Sequence, residues 1–200
     1  MAQEQQTAPT DDAQEPADRL DPATRARRET ALRHVRKYGD PALRTRARPV
    51  EVFDDALADE VRRMGELMDD ALGIGLAATQ LGVMHRLLVY RVDPDAPLGV
   101  LVNPKIEFKS DELETLEEGC LSLPGVSVEV ERPLQVRVRA QDLEGKPLTL
   151  EAEGLEARVI QHEVDHLDGV LILDRTTRDQ RKQAMRILRE EGRAAPLGVA

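Results

Sequence analysis

The sequence contains few aromatic residues and a single cysteine. Aromatic side chains make up 2% of the 200 residues and tryptophan is absent, so a core must be built from aliphatic residues and methionine. Apolar residues amount to 40%, which is enough for one domain. The lone cysteine, Cys120, excludes an internal disulfide. It favours a reducing compartment and leaves the thiol as a candidate ligand or nucleophile.

Long apolar segments and a positive charge balance are also missing. No stretch approaches the ~18 consecutive apolar residues expected of a transmembrane helix. The N-terminus is acidic, and it lacks the basic-then-apolar order of a signal peptide and the arginine content of a transit peptide. A net charge of −10 argues against a surface that grips nucleic acid. We therefore expect a cytoplasmic protein with no membrane or DNA partner.

Composition divides the chain into four segments. Residues 1–21 contain almost no large apolar side chain, which predicts a disordered acidic N-terminal extension. Residues 22–37 are rich in Arg and Ala and predict a short helical segment, which Tyr38-Gly-Asp-Pro41 interrupts. A compact domain is predicted over residues 38–191, followed by a flexible tail over 192–200.

Hydrophobic periodicity predicts an α+β fold. Apolar residues at helical spacing predict helices over Asp54–Leu72, Leu155–Leu167 and Thr177–Glu191. Alternating patterns and short apolar runs predict strands over His85–Val92, Gly99–Asn103, Val126–Val130, Gln135–Ala140, Pro147–Glu151 and Val170–Leu173. Helices at the start and end, with antiparallel strands between them, are typical of the α+β class.

The segment Gln161–His166 carries the pattern H-E-x-x-H. On a helix, residues four apart lie on one face, so the imidazoles of His162 and His166 can reach one metal ion. The carboxylate of Glu163 can then reach a water bound to that metal. The simpler alternative is an exposed amphipathic helix whose histidines happen to align, but the chain has only four histidines.

Two histidines leave a catalytic metal without its third protein ligand. In one group of zinc peptidases a third histidine follows, but Ile172 stands at that position here. Another group uses a later glutamate, and Glu190 and Glu191 are poor candidates in a solvated terminal helix. The remaining soft ligand is Cys120, whose thiolate binds divalent transition metals well. A lone cysteine is more often a small buried apolar residue, but the missing ligand favours a metal-binding role.

The segment Gly73–Gln80, Gly-Ile-Gly-Leu-Ala-Ala-Thr-Gln, allows another backbone to approach closely. It is not a dinucleotide-binding loop, because Ala78 occupies the third glycine position and a helix precedes the segment. The structural interpretation is a tight connection between two elements. The functional interpretation adds the side-chain amide of Gln80, which can donate to a developing oxyanion.

Three motifs in this order resemble the signature of the peptide deformylase family. They are Gly-Ile-Gly-Leu-Ala-Ala-Thr-Gln, Glu-Gly-Cys-Leu-Ser and Gln-His-Glu-x-Asp-His-Leu, and all are intact. The resemblance runs from about Tyr38 to about Arg189. It implies an enzyme that removes the formyl group from the N-terminal formyl-methionine of newly made proteins and releases formate. We expect antiparallel β-sheets packed around a central metal-binding H-E-x-x-H helix, with one helix at the N-terminus and one at the C-terminus.

The resemblance also implies roles for individual residues. The implied metal ligands are Cys120, His162 and His166. Metal-bound water would be the nucleophile, and Glu163 would act first as its general base and then as the general acid for the leaving amine. The oxyanion would be met by the side-chain amide of Gln80 and the backbone N–H of Leu121.

Substrate contacts are implied for a further set of residues. These are Ile74, Gly75 and Gly119 along the peptide, with Leu155 and Val159 as candidate walls of the pocket for the methionine side chain. Both apolar residues fit a purely structural role in the core equally well. A buried pair of Glu118 and Arg132 is also expected from the resemblance and the local charge, whereas Arg158 receives no role.

The expected cofactor is one divalent metal ion per chain. Ferrous iron (Fe2+) is typical of the family, and a Cys-His-His donor set also accepts Zn2+, Ni2+ or Co2+. The expected partners are nascent N-formylmethionyl peptides. The terminal helix, with Arg175 just before it, carries six basic residues, for which a solvated face is the simpler interpretation and docking on ribosomal RNA the alternative.

Two other functions stay open on the sequence alone. A zinc peptidase of the H-E-x-x-H type is disfavoured by Ile172 and by the lack of a suitably placed glutamate. A non-catalytic metal-binding or peptide-binding relative would be expected to have lost Glu163 or Gln80, and both residues are present.

Overall fold

The computed structural model describes residues 20–194, and the side chains of residues 20–190. The helices in this range are α1 Pro22–Leu32, α2 Asp55–Asp70, α3 Gly154–Leu167 and α4 Arg178–Ala194. The strands are β1 Gly75–Ala77, β2 Leu87–Tyr90, β3 Gly99–Lys109, β4 Leu113–Cys120, β5 Leu123–Pro133, β6 Gln135–Gln141 and β7 Pro147–Glu153. Short 3₁₀ helices lie at Pro41–Arg44, Ala78–Leu81 and Ile172–Asp174. The predicted extension over 1–21 and tail over 192–200 lie largely outside the described residues.

All strand pairings among the described residues are antiparallel. Five strands form one sheet in the order β1-β2-β3-β6-β7, and β4 and β5 pair in a second, two-stranded sheet. In β5 the apolar residues Val126, Val128 and Val130 are buried and the polar residues between them are exposed. This alternation gives the β4–β5 sheet one face toward the core and one toward solvent. In the five-stranded sheet, all four residues of β2 are buried, because α2 packs against Leu87 and Val89 and α3 packs against Leu88 on the opposite face. The predicted α+β class is therefore confirmed.

Two helices begin at aspartates that cap their first turns. The carboxylate of Asp21 accepts hydrogen bonds from the backbone N–H groups of Ala23 and Thr24, and Pro22 follows it at the first helical position. In the same way Asp54 accepts from the N–H of Leu57 at the start of α2. The buried face of α2 packs on β1 and β2 through Leu57, Val61, Met64 and Met68. These caps fix where the two helices enter the fold.

Helix α3 lies in the interior of the described fold. Ten of its residues are buried, and Ile160 and Leu167 are completely covered. Its apolar residues pack against the five-stranded sheet, including Leu88 of β2 and Val138 of β6. Because both the sheet and the β4–β5 hairpin adjoin α3, polar residues on this helix are held in fixed positions.

Several predicted element boundaries were wrong. The predicted strand Val170–Leu173 is instead a turn and the 3₁₀ helix Ile172–Asp174, where Asp174 accepts a hydrogen bond from the N–H of Leu171. The predicted helix over 22–37 ends at Leu32. Strand β4 was missed because most of its residues are exposed and its apolar residues do not alternate with polar ones. Strand β1 has only three residues, too few for a periodic signal.

No helix within residues 20–194 combines the length and apolar character needed to cross a membrane.

Candidate metal centre and active site

Three potential ligand atoms converge where β4 meets α3. Cys120 ends β4, and His162 and His166 lie one turn apart on α3. Their donor atoms all lie within 4.8 Å of one another, and Cys120 Sγ is 3.2 Å from His166 Nε2. The two imidazole centroids are 4.9 Å apart. A thiolate and two imidazoles form a donor set that suits a divalent transition metal and leaves a fourth position open.

The surroundings of Cys120 favour its thiolate. Burial by itself raises the pKa of the thiol, but the charge of His166 and hydrogen bonds from His162 and His166 lower that pKa well below its ordinary value. A thiolate is the form that binds a metal. The lowered pKa of the thiol therefore agrees with a metal-ligand role for Cys120.

Glu118 contacts the ring nitrogen of His162 that is not available to the metal. Its Oε2 atom lies 2.9 Å from His162 Nδ1. The carboxyl group is ionised at neutral pH, so Nδ1 is assigned as the protonated nitrogen that donates to it. Nε2 is then the nitrogen that can bind a metal, and a carboxylate in this place fixes the tautomer and orients the ring.

Glu118 is in turn held by two arginines. Arg132 donates from Nε and Nη2 to its two oxygens at 2.6 and 2.9 Å, and Arg158 Nη1 donates to Oε1 at 2.8 Å. Burial raises the pKa of Glu118, but the hydrogen bonds from Arg132 and His162 outweigh it and lower the pKa to about 2. Arg158 also donates to the carbonyls of Val130 and Glu114, which gives this residue the positioning contacts that the sequence did not reveal.

Asp165 extends this network to the far side of α3. Arg132 Nη1 donates to it at 2.9 Å, and Arg175 Nη2 donates at 2.6 Å. Burial raises the pKa of Asp165, but these arginines outweigh it and the pKa is lowered. Sequence reasoning did not select Asp165, although its place in the third motif, directly before His166, was an available signal.

Glu163 has the opposite environment. It is 4% exposed, and its Oε2 has no hydrogen-bond partner among the described residues. Burial raises its pKa, against the lowering effect of the charges on His162 and His166. A β-carbon at Gly75 would lie 2.5 Å from Glu163 Oε1 and 2.8 Å from Val159 Cγ1, so any larger residue there would displace these side chains. A buried carboxylate with a free oxygen and a raised pKa can take up and release a proton.

The side-chain amide of Gln80 is oriented by a hydrogen bond from the nearby backbone. It lies in the 3₁₀ helix Ala78–Leu81 and is 1% exposed. Its Oε1 accepts from the N–H of Ala77 at 2.9 Å, so the amide is oriented with Nε2 toward Ser122 Oγ at 3.2 Å and Cys120 Sγ at 3.8 Å. The amide donors therefore point toward the ligand cluster. Ser122 was not selected from the sequence.

The segment after α1 joins the loops of the first two motifs. The backbone N–H of Arg36 donates to Gln80 O at 2.6 Å, and the N–H of Tyr38 donates to Ser122 O at 2.9 Å. Lys37 Nζ donates to Leu121 O at 2.9 Å. Leu121, in the turn between β4 and β5, is thus held in place next to Cys120.

A pocket of about 560 Å³ opens beside the ligand cluster. It is lined by every predicted catalytic and substrate-binding residue, namely Ile74, Gly75, Gln80, Gly119, Leu121, Leu155, Val159 and Glu163, together with Cys120 and His162. His166 lies deeper and is 1% exposed. Leu155 is 52% exposed at the mouth, whereas Val159 is buried in the wall. The structure brings these residues together, and their individual roles stay predictions.

The residues that would supply the third metal ligand in a zinc peptidase lie away from the ligand cluster. Ile172 is 2% exposed and packs in the apolar cluster of β5 and α4. Glu190 is exposed on α4. Neither residue belongs to the ligand cluster of Cys120, His162 and His166.

Known proteins resemble this chain over most of its length. The family model for polypeptide deformylase matches residues 32–182. A peptide deformylase from Acidothermus cellulolyticus is 48% identical over 160 residues, which cover 80% of this chain and 87% of the relative. The crystal structure of a peptide deformylase from Synechococcus elongatus in complex with actinonin is 46% identical with a TM-score of 0.74, covering 79% of this chain and 86% of that one. The structure from Legionella pneumophila is 38% identical with a TM-score of 0.77, covering 82% and 98%. On the strength of its motifs, its fold and these matches, the chain belongs to the polypeptide deformylase family.

Proposed function

We propose that Cys120, His162 and His166 hold a divalent metal ion and that Glu163 moves the proton in the hydrolysis of a formyl amide. Removal of the N-terminal formyl group from nascent peptides is the reaction of this family, and the chain is an enzyme of this kind. The observation that supports the residue roles is the convergence of three ligand atoms beside a buried carboxylate with an unpartnered oxygen.

The donor set fits the metal dependence of the family. Cys120, His162 and His166 would hold the divalent ion, which when bound would lower the pKa of a water ligand toward neutral pH. Ferrous iron is the proposed ion, on the basis of the family resemblance. The same donors accept Zn2+, Ni2+ or Co2+, and an iron–thiolate site is expected to lose activity on prolonged exposure to air.

Glu163 is proposed to carry one proton from water to the leaving amine. Water adds to the formyl carbon as hydroxide, and its proton passes to the Glu163 carboxylate. When the C–N bond breaks, the carboxyl group returns that proton to the amine nitrogen, and formate is released. The raised pKa of Glu163 suits both steps, because a group that binds its proton more tightly is a stronger base and still a usable acid near neutral pH.

Gln80 and Leu121 are proposed to stabilise the oxyanion that forms on the formyl oxygen. The amide of Gln80 is oriented by its bond from Ala77, so its N–H groups need not reorganise during the reaction. The N–H of Leu121 follows Cys120 directly in a turn that Lys37 holds. Each such donor typically contributes about 3 kcal/mol to transition-state stabilisation.

The pocket walls are proposed to bind an extended peptide. Ile74, Gly75 and Gly119 offer backbone groups along the pocket, and Gly75 also leaves room for Glu163. Val159, buried in the wall, is proposed to contact the methionine side chain, with Leu155 at the exposed mouth.

The test is formate release from a formyl-Met-Ala-Ser peptide by protein that is purified without oxygen and loaded with ferrous iron. Turnover by the parent and near-complete loss in the Glu163→Ala variant are expected. A Cys120→Ala variant should lose the metal, as measured by metal content after dialysis. Absence of formate release from a folded, metal-loaded parent would contradict the proposal, and so would full metal retention by Cys120→Ala.

Ribosome docking is a second proposal, carried by the exposed cations of α4. The side chains of Arg178, Lys182, Arg186 and Arg189 are exposed, whereas Ala184 packs on the other side of the helix in the apolar cluster with β5. The quadruple change of these four residues to Gln keeps the packing face intact. We expect it to weaken salt-sensitive cosedimentation with ribosomes, and unchanged cosedimentation would contradict docking through α4. A cytoplasmic location stays a prediction.

A further inference from the structure

Helix α1 adds one residue to the active-site pocket from outside the family-matched segment. That segment begins at residue 32, where α1 ends. Nevertheless Arg28 and Leu32, one helical turn apart, both line the pocket. The helix is held against α2, and its Ala31 is 2% exposed. Part of this enzyme's pocket wall, at Arg28, is therefore supplied by a residue that precedes the matched segment.

Arg28 has no acidic partner among the described residues. Its side chain is half-buried, and within the described part of the chain no hydrogen bond or ion pair involves it. The other pocket-lining cations are engaged: Arg158 donates to Glu118, and Lys37 donates to Leu121 O. A guanidinium that is partly withdrawn from water and unpaired gains most from a planar carboxylate, with which it forms two parallel hydrogen bonds.

The position of Arg28 indicates which part of a substrate it meets. The formyl group must lie at the ligand cluster, and the methionine side chain next to it against the buried wall. In an extended peptide the following residues advance by roughly 3.3 Å each, toward the outer part of the pocket. Arg28 lines the same pocket and is half-buried, whereas Glu163 and His166 at the ligand cluster are 4% and 1% exposed, so Arg28 belongs to the more solvent-accessible part of the pocket.

We propose that Arg28 is a specificity-determining residue that favours formyl-methionyl peptides with an acidic side chain at the second or third position. The preference rests on the proposed function, because it concerns the substrate of that reaction. Glu117, which also lines the pocket, is exposed, so its repulsion of an acidic side chain is screened by solvent. The deeper carboxylates face the ligand cluster, at the formyl end of the peptide.

The experiment compares kcat/KM for matched peptides with amidated C-termini. The pairs are formyl-Met-Ala-Glu with formyl-Met-Ala-Gln, and formyl-Met-Glu-Ala with formyl-Met-Gln-Ala. At low salt the parent is expected to favour the acidic member of at least one pair by about three- to fivefold, the range of a partly exposed ion pair. High salt should reduce this preference, and Arg28→Gln should remove it.

The matched control is Arg27→Gln. Arg27 is on the same helix, is exposed, donates to Thr24 Oγ1 at 3.2 Å and does not line the pocket. The substitution changes the net charge by the same amount, so the acidic preference should survive it. The reversed variant Arg28→Glu should favour a Lys peptide over a Gln peptide, which a merely structural role would not produce. Circular dichroism checks that α1 is retained in each variant.

Three results would overturn this inference while leaving the proposed function intact. They are equal turnover of acidic and neutral peptides by the parent, equal loss for both peptides in Arg28→Gln, and the same change of preference in Arg27→Gln. A metal-loaded parent that releases no formate even from the neutral peptides would overturn the proposed function, and this inference with it.

Discussion

Two buried carboxylates lie beside His162, and their surroundings shift their pKa values in opposite directions. Glu118 is 7% exposed and Glu163 is 4% exposed, so burial is similar. Glu118 accepts hydrogen bonds from Arg132, Arg158 and His162, and its pKa is lowered to about 2. Glu163 has an oxygen without a partner, and its pKa is raised.

The comparison shows that partners, rather than burial, separate the two roles. A carboxylate saturated by two guanidinium groups stays ionised and cannot give or take a proton near neutral pH, so it can only position His162. A buried carboxylate with an unpartnered oxygen, in which burial outweighs the nearby positive charges, is poised to exchange a proton.

The largest effect is expected from Glu163→Gln. The amide keeps the size of the side chain but cannot accept the proton, so kcat should fall by roughly 10³-fold, within the range of general acid–base catalysis. The free energy of unfolding should rise or stay constant, because a buried charge without a partner is removed. Formate release and urea unfolding measure the two quantities. Loss of stability together with activity would mean that Glu163 has a structural role.

Glu118→Gln should have the opposite effect, with a large loss of stability and a weaker hold on the metal. It leaves Arg132 and Arg158 buried without their shared counter-charge, which is expected to cost about 3–5 kcal/mol of unfolding free energy. Replacing the charged acceptor of His162 by a neutral amide should weaken metal affinity by about 10- to 100-fold. Urea unfolding and chelator competition are the measurements. The control is Glu131→Gln, an exposed residue on β5, which should change neither quantity.

Acid should destabilise the protein through Glu118. Its pKa in the folded state is about 2, compared with an ordinary value of 4.5. Its contribution is therefore complete above about pH 4.5 and is lost as the pH falls toward 2, a total of about 3 kcal/mol. Glu163, with a raised pKa, acts with the opposite sign and costs stability as the pH rises above its ordinary value. Unfolding of metal-free protein as a function of pH should show a smaller acid loss in Glu118→Gln than in the parent.

The smallest effect is expected from Gly75→Ala. The added methyl group would lie 2.5 Å from Glu163 Oε1, so the carboxylate must move by a few tenths of an ångström or more. Misplacing the proton carrier without removing it should lower kcat by about tenfold, and metal content should not change. Unchanged kcat would show that the position of the Glu163 carboxylate is not critical to the reaction.

Much of the fold was readable from hydrophobic periodicity, and the failures have physical causes. Helix α2 and strands β5 to β7 follow strong apolar patterns, and their existence was predicted correctly. Strand β4 carries one buried residue, Glu118, so its pairing depends on the partner strand β5 and not on its own sequence. Residues Leu171–Leu173 are consecutively buried, which resembles a core strand, but the Asp174 side chain folds them into a 3₁₀ turn.

The site was predictable where a motif fixes the spacing and obscure where contacts are long-range. The approach of Cys120 to His162 and His166 was predicted from metal chemistry, and the structure brings the three together. The pair Glu118–Arg132 was expected, but Arg158 received no role because its partners lie 28 or more residues away. Arg28 was not singled out, because nothing in the local pattern indicates that α1 reaches the pocket.

The carboxylate of Glu118, which three side chains share, restricts how this sequence can change during evolution. Because Arg132, Arg158 and His162 all depend on Glu118, a substitution of any one of them leaves charge or hydrogen-bonding groups unmatched. The effect of a change at Glu118 should therefore depend strongly on which residues occupy 132 and 158. Evolutionary paths that alter this cluster must replace several members together, so strands β4 and β5 and helix α3 are constrained to diverge in concert.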